Sequence, residues 1–331
     1  MPVRVSIIIP VYNGSEYLEQ AITSALSQTE SGIEVIVIND GSKDDGRTEA
    51  VALGFGERII YIAKENGGVA SALNRGIMEA KGELISWLSH DDIYEPDKIE
   101  KQLALLDSMP ESQRKTTILH TNCSFIDENS MIYDRSHMTD VGPGRFYQSL
   151  LCGRTIRSLF DISPFSVNGC TALFPKVALV EGGLFDESLK TTQDYDLWFK
   201  LCGRYDFRLM EEPLLRSRVH KGQGTYTMRG IMSEEVDRLY ARALTYFNSG
   251  SPRYDLDLPK AALALRLDPR KRAAFRTTFA LAVRNIHRFS DLIYLGLALF
   301  WNPWFARGQI ALTSMKRRIR MRSAEISAKH H

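Results

Sequence analysis

Three apolar runs restrict what this chain can fold into. VRVSIIIPVY (3–12), IEVIVIN (33–39) and ELISWL (83–88) are rich in β-branched and aliphatic residues. Such near-continuous apolarity is the pattern of strands buried on both faces. Between them lie segments with helical spacing. SEYLEQAITSALSQ (15–28) places Tyr17, Leu18, Ala21, Ile22, Ala25 and Leu26 on one face, with Ser15 as its expected N-cap, and VASALNRGIMEAKG (69–82) is a second helix. A further strand, RIIYIA (58–63), follows the turn DGSKDDG and a short helix. Strands separated by helices of this length predict an α/β chain with parallel crossovers. In such sheets ligands sit beyond the carboxyl ends of the strands, where the loops NG, DGS, NGG and SHDD gather.

The second half is less regular. A helix is expected from Asp97 to about Leu106, with Pro96 near its first position, and TTILHTNCSFID (116–127) reads as a strand. Residues 142–174 are rich in Gly, Ser and Pro, as a substrate loop would be. The four cysteines, Cys123, Cys152, Cys170 and Cys202, form no CxxC pair, so neither a zinc site nor a disulfide framework is predicted. This usage fits a reducing cytoplasm, and the N-terminus enters a strand without the charged and apolar regions of an export signal.

Net charge is +2, but it is unevenly placed. Residues 261–331 hold fourteen Lys and Arg against Asp268, Asp291 and Glu325, a net of +11 that leaves −9 for residues 1–260. Within this tail, LIYLGLALFW (292–301) is too short to span a bilayer as a helix. With Arg284, Arg288, Arg307 and KRRIRMR (316–322) around it, the run reads either as an interfacial anchor on an anionic membrane or as a core-packing helix with a solvated basic tail.

The residues suited to chemistry are carboxylates at expected strand ends: Asp40, Asp91 and Asp92, with Asp194 and Asp196 later. Singly, each reads as a turn or capping residue. Gathered on one edge of a parallel sheet, adjacent acids repel unless a proton or cation relieves them. A hard divalent ion does so while leaving coordination positions open for phosphate oxygens.

Five blocks, in order and in register, resemble the family 2 glycosyltransferases of GT-A fold: SIIIPVYNGSEYLEQAITSALSQT, EVIVINDGSKD, ENGGVASALNRGI, GELISWLSHDDIYEPDKIEKQ and GGLFDESLKTTQDYDLWFKL. The resemblance covers roughly residues 3–225. It implies a Rossmann-like, mostly parallel sheet flanked by helices. Residues 1–225 would form the catalytic domain, with a nucleotide-binding half to about 115 and an acceptor half over 116–225. A helical, basic extension would follow over 226–331.

The resemblance also implies roles. Pro10, Val11, Tyr12 and Asn13 would wrap the nucleotide, Asp40 would face its base, and Asn66, Gly67, Gly68 and Asn74 would line it. The family's acid-x-acid motif falls on Ser89, His90 and Asp91. Asp91 would bind Mg²⁺ or Mn²⁺, and Asp92 would hold sugar or ribose hydroxyls or support the metal ligands. Asp194 would be the catalytic base, and it also suits an N-cap. Arg218 and His220, in RSRVHKGQGT (216–225), would close on the diphosphate, with His220 a second metal ligand. Two departures stand out: Ser89 where many relatives carry Asp, and Leu73 where many carry Arg. The implied reaction is inverting transfer from a nucleotide diphosphate sugar, foremost a UDP-sugar, to a saccharide or lipid-linked acceptor. Bacterial surface polysaccharide or glycolipid assembly, in the cytoplasm or on the inner membrane face, is the expected setting, with no nucleic acid partner. A degenerate, non-catalytic binding subunit is the alternative, and a sugar nucleotidyltransferase is disfavoured because PVYNGSEY is not a Gly-rich basic loop. A dinucleotide oxidoreductase is disfavoured too, since no GxGxxG follows the first strand.

Overall fold

The structure is a computed structural model that describes residues 2–134, 168–201, 204–228 and, further on, 230–232, 234, 235, 238 and 239. Residues 142–167 of the expected substrate loop, Cys152, Cys202 and the basic tail lie outside the described residues. Two compact units divide the chain, Met1–Leu256 and Asp257–His331. The first is the α/β unit. It runs past the boundary expected at 225, because Glu235 and Leu239 are buried within it.

Four strands build the first half of the sheet: β1 (Val5–Val11), β2 (Ile33–Asn39), β3 (Ile60–Ala63) and β4 (Leu84–Trp87). Their spatial order is β3-β2-β1-β4, all parallel. Every residue of β1 is buried, which explains its unbroken apolar sequence. Each fully buried Ile here contributes roughly 1.5–3 kcal/mol relative to exposure. The crossover helices are α1 (Leu18–Leu26), α2 (Arg47–Leu53) and α3 (Val69–Glu79). The N-cap expected at Ser15 falls on Tyr17 instead. The amides of Tyr17 and Leu18 both reach the Gly14 carbonyl, at 3.3 and 3.1 Å, so a backbone turn opens this helix in place of a side-chain cap.

Beyond β4 the sheet becomes mixed, continuing β8-β6-β9-β5 with β7 on β6. These strands are β5 (Ile93–Tyr94), β6 (Thr117–Ile126), β7 (Ile132–Asp134), β8 (Leu173–Pro175) and β9 (Asp206–Arg218). The long β6–β9 ladder is parallel, whereas β4–β8, β6–β8 and β5–β9 are antiparallel. The later helices are α4 (Lys98–Asp107), α5 (Glu111–Arg114), α6 (Lys176–Glu181), α7 (Gln193–Leu201) and α8 (Gly224–Thr227). Pro96 lies just outside α4, whose N-cap is Asp97.

Two features of this topology position the site. Strand order reverses between β1 and β4, so the loops after these strands flank the crevice where open α/β sheets bind ligands. The short β5, directly after Asp91 and Asp92, pairs with the far end of β9 through Ile93 opposite Arg216. That register carries Arg218 and His220 to the acidic pair from more than a hundred residues away.

Candidate active site

At the crevice, Pro10 and Val11 are buried strand residues, whereas Tyr12 and Asn13 are exposed beyond the strand end. Asn13 has a positive φ of 50° and is held by its neighbours. Its amide donates to Ser42 Oγ at 3.0 Å, and its Oδ1 accepts from the Lys43 amide at 2.7 Å. The next residue, Gly14, answers why His90 stands in the acidic motif. A Cβ built on Gly14 would lie 2.2 Å from His90 Cδ2, so the imidazole packs directly on the glycine backbone and joins the two crevice loops. Ser89 donates its amide to Cys170 Sγ at 3.2 Å.

Asp40 is buried and organises the neighbouring loop. Its carboxylate accepts from Lys64 Nζ at 2.7 Å and from the amides of Gly67 and Gly68 at 3.0 and 2.7 Å. Asn66 Nδ2 donates to the Asp40 carbonyl at 2.9 Å. Gly68 adopts φ +89°, a conformation that favours glycine. Thus Asp40, Asn66, Gly67 and Gly68 come together, and the Asp40 carboxylate is occupied by protein donors. Asn74 also has a different task from the expected one. Its amide donates to the Phe185 carbonyl at 2.9 Å and to Glu187 Oε1 at 3.0 Å, while its Oδ1 accepts from the Phe185 amide at 3.0 Å. Leu73 is fully buried among Ile8, Ile77, Trp87, Phe174 and Phe185 and serves the core.

Asp91 and Asp92 are both buried yet differ in proton affinity. Burial alone would raise Asp91, but its hydrogen bonds with His220 and Ser89 and the neighbouring imidazoles hold it well below the usual carboxylate range. His220 Nε2 lies 3.0 Å from Asp91 Oδ2, and Gln223 Nε2 lies 3.4 Å from the same oxygen. Asp92 is pushed upward, first by burial and then by the Asp91 charge. Its Oδ1 accepts from the Arg218 amide at 2.8 Å. One acid is thereby kept ionised and the other is disposed to hold a proton.

The geometry gives Arg218 a role other than diphosphate contact. It has no exposed surface, and protein acceptors surround its guanidinium. Nε donates to the Asp91 carbonyl at 2.9 Å, and Nη2 donates to Gln20 Oε1 at 2.8 Å. Nη1 reaches the carbonyls of Asp127 and Glu128 and the hydroxyl of Ser130 at 2.9, 3.2 and 3.1 Å. The guanidinium also stacks 4.4 Å from the centroid of Tyr17, whose ring contacts His220 at 5.2 Å between centroids. Arg218 therefore clamps the wall that carries Asp91 and His220.

Asp194 occupies the first turn of α7. It lies one residue inside the helix start at Gln193, so it is not the N-cap the sequence suits it for; its Oδ1 accepts from the amide of the adjacent Tyr195 at 2.9 Å, while burial pushes its carboxyl up to about 7. Asp196 is fully buried and paired with Lys200 Nζ at 2.9 Å, which removes it from the candidate acids. Sequence reasoning missed Lys64 and Lys190. The Lys190 ammonium would lie 3.6 Å from a Cβ built on Gly68, so it overhangs the Asn66–Gly68 loop. Lys64 directly precedes the block ENGGVASALNRGI and Lys190 lies inside the block GGLFDESLKTTQDYDLWFKL, but nothing in residue type or spacing marks either as facing this loop.

The Asp91 carboxylate suits a hard divalent cation of the Mg²⁺ or Mn²⁺ class, whereas the His220 imidazole 3.0 Å from it is a nitrogen donor that softer ions favour. Among the described residues no group of three or more His, Cys, Asp or Glu could hold a metal ion, so a cation at Asp91 and His220 would take its remaining ligands from water and phosphate oxygens.

Comparison with known proteins places the chain among its relatives. Residues 6–177 match the family described as Glycosyl transferase family 2. An uncharacterized glycosyltransferase of Rickettsia typhi is 46% identical over 237 residues, 72% of this chain and 70% of that protein. Another, from Rickettsia conorii, is 39% identical over 306 residues, 90% of this chain but 48% of its own length. Among solved structures, residues 1–349 of Staphylococcus aureus TarS in complex with UDP-GlcNAc superpose with a TM-score of 0.56 at 15% identity, covering 90% of this chain and 80% of that one. A mannosyltransferase of Pyrobaculum calidifontis in complex with GDP-Man and Mn²⁺ gives 0.53 at 18% identity, covering 92% and 83%. The chain belongs to glycosyl transferase family 2 and is a glycosyltransferase of GT-A fold.

Proposed function

We propose that this glycosyltransferase moves a sugar from a nucleoside diphosphate sugar, foremost a UDP-sugar, to an acceptor hydroxyl with inversion at the anomeric carbon. The observation that carries this reading is the division of labour among its acids. Asp91 is held ionised beside His220, whereas Asp194 is raised to about 7, where a carboxylate can take up a proton near neutral pH. Asp91 and His220 would hold a Mg²⁺ or Mn²⁺ ion, and that ion would supply charge stabilisation to the departing diphosphate. Lys190, beside the Asn66–Gly68 loop, adds positive potential where the nucleotide is expected, whereas the Lys64 charge is met by Asp40. Asp194 accepts the proton of the acceptor hydroxyl as its oxygen bonds to the anomeric carbon and the bond to the diphosphate breaks. With one base and no second nucleophile assigned, a single displacement is the economical course.

The solved relatives support the donor class: TarS is in complex with UDP-GlcNAc, and the mannosyltransferase with GDP-Man and Mn²⁺. The basic segment 261–331 supports an acceptor carried on lipid at an anionic membrane surface, as in assembly of bacterial surface polysaccharide or glycolipid. Among the described residues no helix is long and apolar enough to cross a membrane. The test is a screen of UDP- and GDP-sugars for binding and slow hydrolysis, with and without Mg²⁺ or Mn²⁺. Metal-dependent binding of one donor is the expected result. Absence of binding to every nucleotide sugar in either condition would overturn the reading.

A further inference from the structure

The turn that precedes Asp194 is held by a residue far outside the family match. Glu235, 58 residues beyond its end at 177, is 5% exposed and reaches back to residues 190–192. Its Oε1 accepts from the Lys190 amide at 2.7 Å. Its Oε2 accepts from the Thr191 amide and hydroxyl at 2.8 and 2.7 Å and from the Thr192 amide and hydroxyl at 3.1 and 3.2 Å. One carboxylate thus takes five donors from three consecutive residues. The Thr192 carbonyl accepts the Asp196 amide at 3.0 Å and so begins the ladder of α7, which places the Glu235 charge at the positive end of that helix.

Burial would raise the Glu235 carboxyl, but these hydrogen bonds outweigh it and hold it below its ordinary value. The carboxylate is therefore ionised throughout the neutral range. The clamped turn carries two groups of the proposed site. Lys190 overhangs Gly68 at its start, and Asp194 follows two residues after its end.

We propose that Glu235 is a positioning residue that locks the 190–192 turn, setting Lys190 against the nucleotide loop and Asp194 at the head of α7. The proposal deepens the glycosyl-transfer reading above and rests on its assignment of Asp194. It ties the segment around Glu235 to the turn that leads into the helix bearing the base. Opening the turn would admit water to the Asp194 carboxyl and release Lys190 from the loop.

The experiment uses the full chain without ligand and two variants, Glu235→Ala and Glu235→Gln. Gln keeps the shape and loses the charge, so it retains the test should the Ala variant fail to fold. Two quantities are read: amide exchange at residues 190–192, and the titration midpoint of Asp194 by carbon NMR of labelled aspartate, assigned from the signal missing in Asp194→Asn. Glu235→Ala should speed exchange at the three amides at least tenfold, leave the β1 and β2 amides unchanged, and lower the Asp194 midpoint by about one pH unit or more. Glu235→Gln should move both readouts in the same direction by less. Unchanged exchange overturns the proposal. Faster exchange with an unmoved Asp194 midpoint also overturns it, since Glu235 would then serve stability alone. Neither readout depends on turnover. Full transfer activity in Asp194→Asn would sink the assignment of the base while leaving the Glu235 latch standing.

Discussion

Burial and chemistry meet in the carboxyl of Asp194, and two predictions follow from its raised proton affinity. As the proposed general base it works only when deprotonated. Transfer should therefore rise with pH and level off above about 7, and Asp194→Asn should lower turnover by roughly 10²–10⁴-fold while leaving nucleotide binding largely intact. A rate-against-pH profile and a nucleotide titration check both parts. Stability runs the other way. An Asp that is protonated more readily when folded stabilises the fold at low pH and loses that contribution as pH rises from its unfolded value, near 3.9, to about 7. Asp194→Asn should accordingly raise Tm at pH 8, raise it less at pH 5, and leave it little changed near pH 3. A uniform effect across these three melts would show that Asp194 titrates normally.

Among the elements, the two-residue pairing of β5 with β9 does most to assemble the site, because it converts sequence distance into contact between Asp92 and Arg218. Arg218 then ties three elements together: α1 through Gln20, the 127–130 turn, and the acidic loop. Replacing it with Ala leaves several buried acceptors without donors and should cost at least ~3 kcal/mol, visible as a lowered urea midpoint. Arg218→Lys keeps the charge but not the planar fork, and it should recover only part of that loss. The contact of His90 with Gly14 joins the loops after β1 and β4 in the same way. Gly14→Ala would drive a methyl into the imidazole, at a cost of about 1–3 kcal/mol. Nucleotide affinity should fall with it, since both loops flank the crevice. Calorimetric titration with UDP reads this directly, and wild-type affinity in Gly14→Ala would remove the loop contact from the site.

For the molecule as a whole, the division at Leu256 and the charge asymmetry predict separable properties. Deleting residues 261–331 removes a net charge of +11 and should release the protein from anionic phosphatidylglycerol vesicles. The cooperative melt of the α/β unit should persist, because that unit ends before the deletion. Vesicle sedimentation at low and high salt checks the first part, and a thermal melt checks the second. Equal sedimentation of the shortened and full chains would assign membrane contact elsewhere.

The strand–helix alternation was legible in advance because burial on both faces leaves an unmistakable apolar run. β2 falls on the expected residues, and β1, β4 and β6 within one or two of them. Asp91, His220 and Asp194 can be singled out in the sequence as candidates because each is a residue type suited to chemistry in a recognisable block. The sequence alone determined the fold class, the family resemblance and the acids worth testing. It did not determine what Arg218, Asn74 and Asp40 touch, since a buried polar group binds whichever partner the fold brings near. The helix start at Tyr17, the packing of His90 on Gly14, and the hold of Glu235 on residues 190–192 are likewise decided in three dimensions. They arise from contacts between segments far apart in the chain, and local propensity carries no information about such neighbours. Ser89, His90, Asp91 and Asp92 show both halves of the matter. Their order marks an acidic strand end, while only tertiary packing makes one acid ionised, raises the other, and turns His90 toward a glycine.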